Sequence, residues 1–184
     1  MAKLIYSLTS SVDGFIEDAS GSFEWSEPDE EVLQYVNDQL RPVGTFLFGR
    51  RMYETMRVWD ALPAADASPG MRDFAALWRG ADKVVYSASL PEIATARTRL
   101  ERTFDADAVR AMKASAARDL EVGGAALAAA AIRAGLVDEL VMYLAPIVVG
   151  GGKRWLPEQV RLHLDLLDEH HFASGVVHAR YAVR

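Results

Sequence analysis

The chain has 184 residues, a formal charge of −6, 51% hydrophobic and 25% charged residues, and no cysteine. That length fits one domain (1–184) with its own core, and the composition excludes disordered, fibrous and membrane-spanning classes. The acidic balance argues against a nucleic-acid partner, which requires a broad excess of Lys and Arg, and the lack of cysteine removes disulfides, thiolate zinc sites and cysteine nucleophiles together.

Met1 to Ser10 holds one Lys and a short apolar stretch broken by Ser and Thr, so neither a signal segment nor a membrane helix is expected and the protein reads as cytoplasmic. Lys3 to Leu8 collects β-formers ahead of the turn-like Asp13-Gly14, predicting a strand that leaves the core into a loop running to about Trp25. Ser26-Glu27-Pro28-Asp29 reads as a helix start with Ser26 as N-cap and Pro28 in the first turn. Val32, Leu33, Val36 and Leu40 give that helix its apolar stripe. Thr45 to Phe48 reads as a buried strand ending at Gly49, with a helix from Arg50 to Val58. Ala61 to Gly70 predicts a surface loop before a short helix carrying Met71, Phe74, Leu77 and Trp78.

Lys83 to Tyr86 returns to the sheet and stops at Ser87-Ala88-Ser89. An edge strand at Thr98 to Phe104, a helix at Asp105 to Ala117 and a strand at Asp119 to Val122 give a βαβ rhythm, hence parallel strands with helical crossovers. Gly123-Gly124 opens an Ala-rich helix that runs through Arg133 and is stopped by Gly135. Leu140 to Leu144 has the apolar run of a central strand, which Pro146 and Gly150-Gly151-Gly152 cannot continue. His163 to Leu167 and Gly175 to Val183 predict an antiparallel hairpin joined through His170-His171-Phe172.

Two strand-to-helix junctions concentrate the chemistry: Phe48-Gly49-Arg50-Arg51 and Val122-Gly123-Gly124-Ala125. Each aims backbone N–H groups from a helix start. There a negative charge gains ~0.3–1 kcal/mol from the aligned dipoles, and Gly lets a phosphate approach without meeting a Cβ. Taken singly, each junction also reads as a turn glycine beside solvated arginines; together, in an acidic chain, they point to a dinucleotide phosphate site. Ser87 and Ser89 read either as turn residues or as hydrogen-bond partners of a ribose phosphate. Walker, G-x-G-x-x-G, zinc-protease and G-x-S-x-G patterns are all missing, and no metal site is expected. Glu27, Asp29, Glu30 and Glu31 cluster at a helix N-terminus, where carboxylates stabilise the helix; bordering a cleft beside Trp25, one of them would instead hold or protonate a nitrogen heterocycle.

With these residues in place, the chain resembles the dihydrofolate-reductase superfamily, and within it the reductase domain of the bifunctional riboflavin-biosynthesis deaminase-reductase. The likeness rests on Ser11-Val12-Asp13-Gly14-Phe15-Ile16, Phe48-Gly49-Arg50-Arg51-Met52-Tyr53-Glu54, Val122-Gly123-Gly124, and Gly135-Leu136-Val137-Asp138-Glu139-Leu140 running on to Pro146 and Gly150-Gly151-Gly152-Lys153. It implies a three-layer α/β/α fold with a mixed, mostly parallel sheet and a C-terminal antiparallel hairpin. It also implies NADPH held by Gly49, Arg50, Arg51 and Met52 at one corner and by Val122, Gly123, Gly124, Ala125 and Ala126 at the other. Thr9 and Ile16 would then lie near the nicotinamide, Ser87 and Ser89 near the adenosine. Met52 stands where true dihydrofolate reductases carry Thr, and Glu30 falls at the spacing of their catalytic carboxylate. The implied activity is NADPH-dependent reduction of a pyrimidine- or pterin-type substrate by a homodimer. The alternatives are dihydrofolate or pterin reduction, or NADPH binding without turnover.

Overall fold

A computed structural model describes residues 1–61 and 67–184. Among them the elements follow in the order β1 (Leu4–Ser11), β2 (Phe15–Glu17), α1 (Glu30–Leu40), β3 (Val43–Gly49), α2 (Arg50–Met56), α3 (Pro69–Gly80), β4 (Asp82–Tyr86), β5 (Thr98–Glu101), α4 (Ala106–Ser115), β6 (Asp119–Gly123), α5 (Ala125–Arg133), β7 (Glu139–Ala145), β8 (Lys153–Arg154), β9 (Leu164–His171) and β10 (Val177–Val183). Eight strands make one sheet in the order β5-β4-β3-β6-β1-β7-β10-β9, in which only β10 runs against its neighbours.

Side chains alternate across this sheet because a strand repeats every two residues. Leu4, Tyr6, Leu47, Val84, Leu120 and Val122 face Leu127, Ala128, Ala131 and Ile132 of α5 and Val109 of α4. On the opposite face, Phe46, Phe48 and Val85 pack with Leu33 and Leu40 of α1 and Phe74 and Trp78 of α3, and Ile5, Val141 and Tyr143 pack with Val32 of α1. The result is the expected three-layer α/β/α arrangement. Leu47, Leu120 and Leu140 are at most 1% exposed, and burial of each such side chain contributes ~1.5–3 kcal/mol.

Three local readings are corrected. The N-cap of α1 is Asp29, whose carboxylate accepts a hydrogen bond from Val32 N at 2.8 Å, and Ser26 instead ends a 3-10 turn over Glu24–Ser26. Pro28 explains the shift: a residue before proline is pushed out of helical backbone, and Glu27 is extended at φ −63°, ψ 121°. His170 and His171 do not top the C-terminal hairpin. They complete β9, and the chain turns at Phe172 to Val176, where Gly175 (φ +87°) donates to Phe172 O.

The third correction concerns the Asp13 loop, which contains β2, paired with β8 in a small second sheet. The predicted 61–70 loop falls partly on residues outside those described; its described end is already organised, with Ser68 capping α3 and Gly70 inside that helix.

Candidate active site

The two glycine corners are neighbours. β3 and β6 pair with Phe48 opposite Gly123, and β3 and β4 pair with Gly49 opposite Tyr86, so the ends of three parallel strands form one edge that carries both junctions and Ser87. A Cβ added to Gly49 would meet nothing within 4 Å, so the space over that corner is open. Gly124 begins α5 at φ +91°, a left-handed conformation that L side chains rarely adopt. Met52 leans from α2 across both glycines, its Cβ 3.4 Å from the position of a Gly124 Cβ. Arg50 and Arg51 are exposed and form no ion pair with any described residue. An open corner at Gly49 beside two uncommitted guanidinium groups suits the phosphates of a dinucleotide.

Beyond this edge β1 loses one of its neighbours. β1 makes its last pair with β6 at Tyr6–Val122 but stays paired with β7 as far as Ser11–Ala145. Among the described residues one edge of β1 past Tyr6 is therefore without a strand partner, and such an edge presents free peptide N–H and C=O groups. Ser7, Leu8 and Thr9 are only part-buried, although they belong to an inner strand of the sheet. Thr9 continues β1 beyond its last pair with β6, and Ala125 and Ala126 open the helix that follows Gly123 and Gly124.

Ile16 lies in β2, on the loop that follows β1. The Asp13 carboxylate accepts from Val149 N (3.2 Å) and Gly150 N (2.8 Å), and hydrogen bonds from Ser11 and those amides hold it below the usual carboxylate range. Glu17 pairs with Lys153 at 3.1 Å. Gly152 sits at φ +130° with its backbone against Glu17: a Cβ there would lie 1.9 Å from Glu17 O. The Gly150-Gly151-Gly152 run therefore allows the two loops to close on each other.

The remaining candidates divide. Ser87 Oγ accepts from Leu90 N (2.9 Å) and Ser89 N (3.3 Å), so it caps its own turn and is buried, while Ser89 is exposed beside the corner. Glu30 is tied to α3: its carboxylate accepts from Ser68 Oγ (2.5 Å), Gly70 N (2.7 Å) and Gln34 Nε2 (2.9 Å). Those hydrogen bonds, Ser68 foremost, lower its pKa. A carboxyl held ionised joins two helices well but is the opposite of what a proton donor requires.

The family model for the RibD C-terminal domain matches residues 2–178. The chain belongs to the RibD C-terminal domain family. Among curated proteins, an uncharacterized Bacillus subtilis protein, YyaP, is 28% identical over 184 residues, which is 97% of this chain and 94% of that one. Among solved structures, RibD of Acinetobacter baumannii superimposes with a TM-score of 0.75 at 16% identity, covering all of this chain and 58% of its own. The Thermotoga maritima diaminohydroxyphosphoribosylaminopyrimidine deaminase/5-amino-6-(5-phosphoribosylamino)uracil reductase does so at 0.68 and 11%, covering all of this chain and 57% of that one. At such identities the superpositions establish the dihydrofolate-reductase-like fold.

Within this RibD C-terminal domain the structure also presents polar side chains that sequence reading missed: Ser7, Glu121, Tyr143 and Arg180 line a small cavity beneath α1, on the same sheet face as Thr9. Glu121 did leave a trace. It is the one charged residue within the otherwise apolar Leu120-Glu121-Val122-Gly123 run, where a buried parallel strand calls for none.

Proposed function

We propose that the protein is an NADPH-dependent reductase that transfers hydride to a pyrimidine- or pterin-type acceptor resembling 5-amino-6-(5-phosphoribosylamino)uracil. The reading is supported by membership of a riboflavin-pathway reductase family and carried by one observation: Phe48 lies opposite Gly123, so the open Gly49 corner, the close-packed Gly123-Gly124 corner and a pair of uncommitted arginines share one sheet edge beside the free side of β1. Arg50 and Arg51 take the 2′-phosphate and pyrophosphate, Met52 and the glycines shape the floor, and Ser89 meets the adenosine end. Thr9, with the free edge of β1, orients the nicotinamide, and Ile16 on its latched loop screens it from water. When bound, NADPH supplies the hydride. The chain contributes by holding donor and acceptor carbons about 3–3.5 Å apart.

Because Glu30 is held ionised, it orders α3 instead of supplying the proton. Among the described residues no helix is long and apolar enough to cross a membrane, and the proposed setting is the cytoplasm. A second copy of the chain is the proposed partner. Among the described residues the outer edge of β9 has no strand partner, and β9 carries Leu166 and Leu167, 57% and 51% exposed, which a homodimer would cover.

The deciding experiment is titration with NADPH followed by steady-state oxidation with 5-amino-6-(5-phosphoribosylamino)uracil and dihydrofolate in parallel. Micromolar binding and turnover of the uracil are expected. Turnover of dihydrofolate alone would move the protein to the pterin reductases, and absence of NADPH binding would end the proposal.

A further inference from the structure

The sheet face beneath α1 is laid out in rows fixed by strand register. Phe46, Glu121, Ile5 and Glu139 form the first row, Phe48, Gly123, Ser7, Val141 and Arg180 the second, and Thr9, Tyr143 and His178 the third. Successive rows lie roughly 6.6 Å apart. Glu121 is thus two rows below Thr9, with Ser7 on the step between. Tyr143 is opposite Thr9 yet lines the same cavity as Glu121, so its ring spans the intervening row.

This cavity, of about 10 Å³, is lined by Ile5, Ser7, Gln39, Glu121, Tyr143 and Arg180 among others. It has the volume of about one water. The side chains of Ser7, Glu121 and Tyr143 make no hydrogen bond or ion pair with any described residue. Three hydrogen-bonding side chains with no partner among the described residues line one water-sized space, and a water there can bond to each of them.

Charge explains the protonation state. The Arg180 guanidinium is committed to Glu139 (Nε 2.7 Å, Nη2 2.5 Å) and Gln39 (3.1 Å), and Glu139 also takes Lys3 Nζ at 2.5 Å. The other facing groups are neutral: Phe46 from β3, Ile5 and Ser7 from β1, Val141 and Tyr143 from β7, Val36, Gln39 and Leu40 from α1, with His178 on β10 kept neutral by burial. By area Glu121 is only part-buried, but α1 and the sheet enclose its carboxyl, and that desolvation pushes it up to about 8. The same burial, with Glu121 nearby, raises Tyr143.

We propose that Glu121 is a buried proton store that serves the acceptor bound over Thr9, handing its proton through a cavity water and the Ser7 hydroxyl while Tyr143 holds that water in place. This rests on the reductase reading. Hydride from the dihydronicotinamide goes to the acceptor carbon, whose C=N π pair moves to nitrogen. Nitrogen takes a proton from Ser7 Oγ, Ser7 is reprotonated by the water and the water by Glu121. Glu121 is left as a carboxylate, which regains a proton from solvent after product leaves.

The test has two independent readouts. Infrared spectra of the full chain, taken without cofactor or acceptor, should show a protonated-carboxyl C=O band at pH 6 that disappears with a midpoint near pH 8 and is missing from Glu121→Gln. Its absence from the wild type overturns the proposal. In steady-state NADPH oxidation with 5-amino-6-(5-phosphoribosylamino)uracil, Glu121→Gln should lower kcat roughly a hundredfold, leave the KM for NADPH within about twofold and abolish the alkaline limb of the kcat profile. Ser7→Ala should lower kcat while keeping the infrared band. A wild type that turns over, with Glu121→Gln matching its kcat and pH profile, overturns the relay and leaves the reductase reading intact. A wild type that fails to oxidise NADPH with every acceptor tested refutes the reductase reading and the delivery step with it, so turnover by the wild type distinguishes the two failures.

Discussion

Phe48 and Gly123 face each other across β3 and β6, and a Cβ on Gly123 would lie 2.5 Å from Phe48 Cε1. The ring has no room to retreat, since it stacks on Phe46 (5.5 Å between centroids) and Trp78 (5.6 Å). Gly123 is therefore a packing requirement of the corner, in addition to the phosphate approach proposed for it. Gly123→Ala should destabilise the fold by ~1–3 kcal/mol through overpacking and weaken NADPH at least tenfold. Urea unfolding and fluorescence titration measure the two effects, and a variant of unchanged stability would show that the corner has slack.

On the proposed reading Arg50 and Arg51 set the cofactor preference. The double variant Arg50→Ala/Arg51→Ala should weaken NADPH by a factor of ten to a hundred and NADH by no more than threefold, as charge-assisted contacts to one extra phosphate predict. Equal losses for the two nucleotides, read by the same titration, would remove the 2′-phosphate assignment.

Glu30 should behave as a tie between helices. Its pKa is depressed, so its stabilising effect is complete above the ordinary value of 4.5 and disappears as pH falls through the lower, folded-state value. Glu30→Ala should lower the melting temperature at pH 7, lose that deficit toward pH 3, and leave kcat within about twofold. A large kcat loss with unchanged melting would restore Glu30 to the chemistry.

Glu121 has the opposite sign. Its folded pKa, about 8, lies above the ordinary 4.5, so the unfolded chain gives up its proton first and wild-type stability falls as pH rises between those values. The stability of Glu121→Gln relative to wild type should therefore climb from pH 4.5 to about 8 and then level off. Paired denaturant titrations across that range would show a flat difference if the carboxyl is ionised throughout.

The β9 edge should control assembly. Light scattering is expected to give the mass of two chains for the wild type and of one for Leu166→Lys/Leu167→Lys. A wild type with the mass of a single chain would dismiss the dimer.

Much of the architecture was legible because its signals are local. Short runs of β-formers and apolar residues ended by turn residues placed β1, β3, β4, β6 and β7, the stripe Val32, Leu33, Val36, Leu40 placed α1, and glycines at 49, 123 and 135 marked where strands give way to helices and where α5 stops. The same locality caused the misses. Ser26 and Asp29 offer equally good caps until the backbone before Pro28 is known, and β2 and β8 are too short to announce themselves, since their pairing depends on Gly152 meeting Glu17 across the chain.

Residue chemistry by itself determined that this acidic chain carries two glycine-led corners, one of them arginine-rich, and a fold of alternating strands and helices. Only the tertiary structure decided that those corners touch, that Glu30 is spent on α3, and that Glu121, Ser7 and Tyr143 share a cavity. Each of these depends on inter-strand register, where a shift of one residue would send every side chain to the other face, and no short stretch of sequence encodes that register.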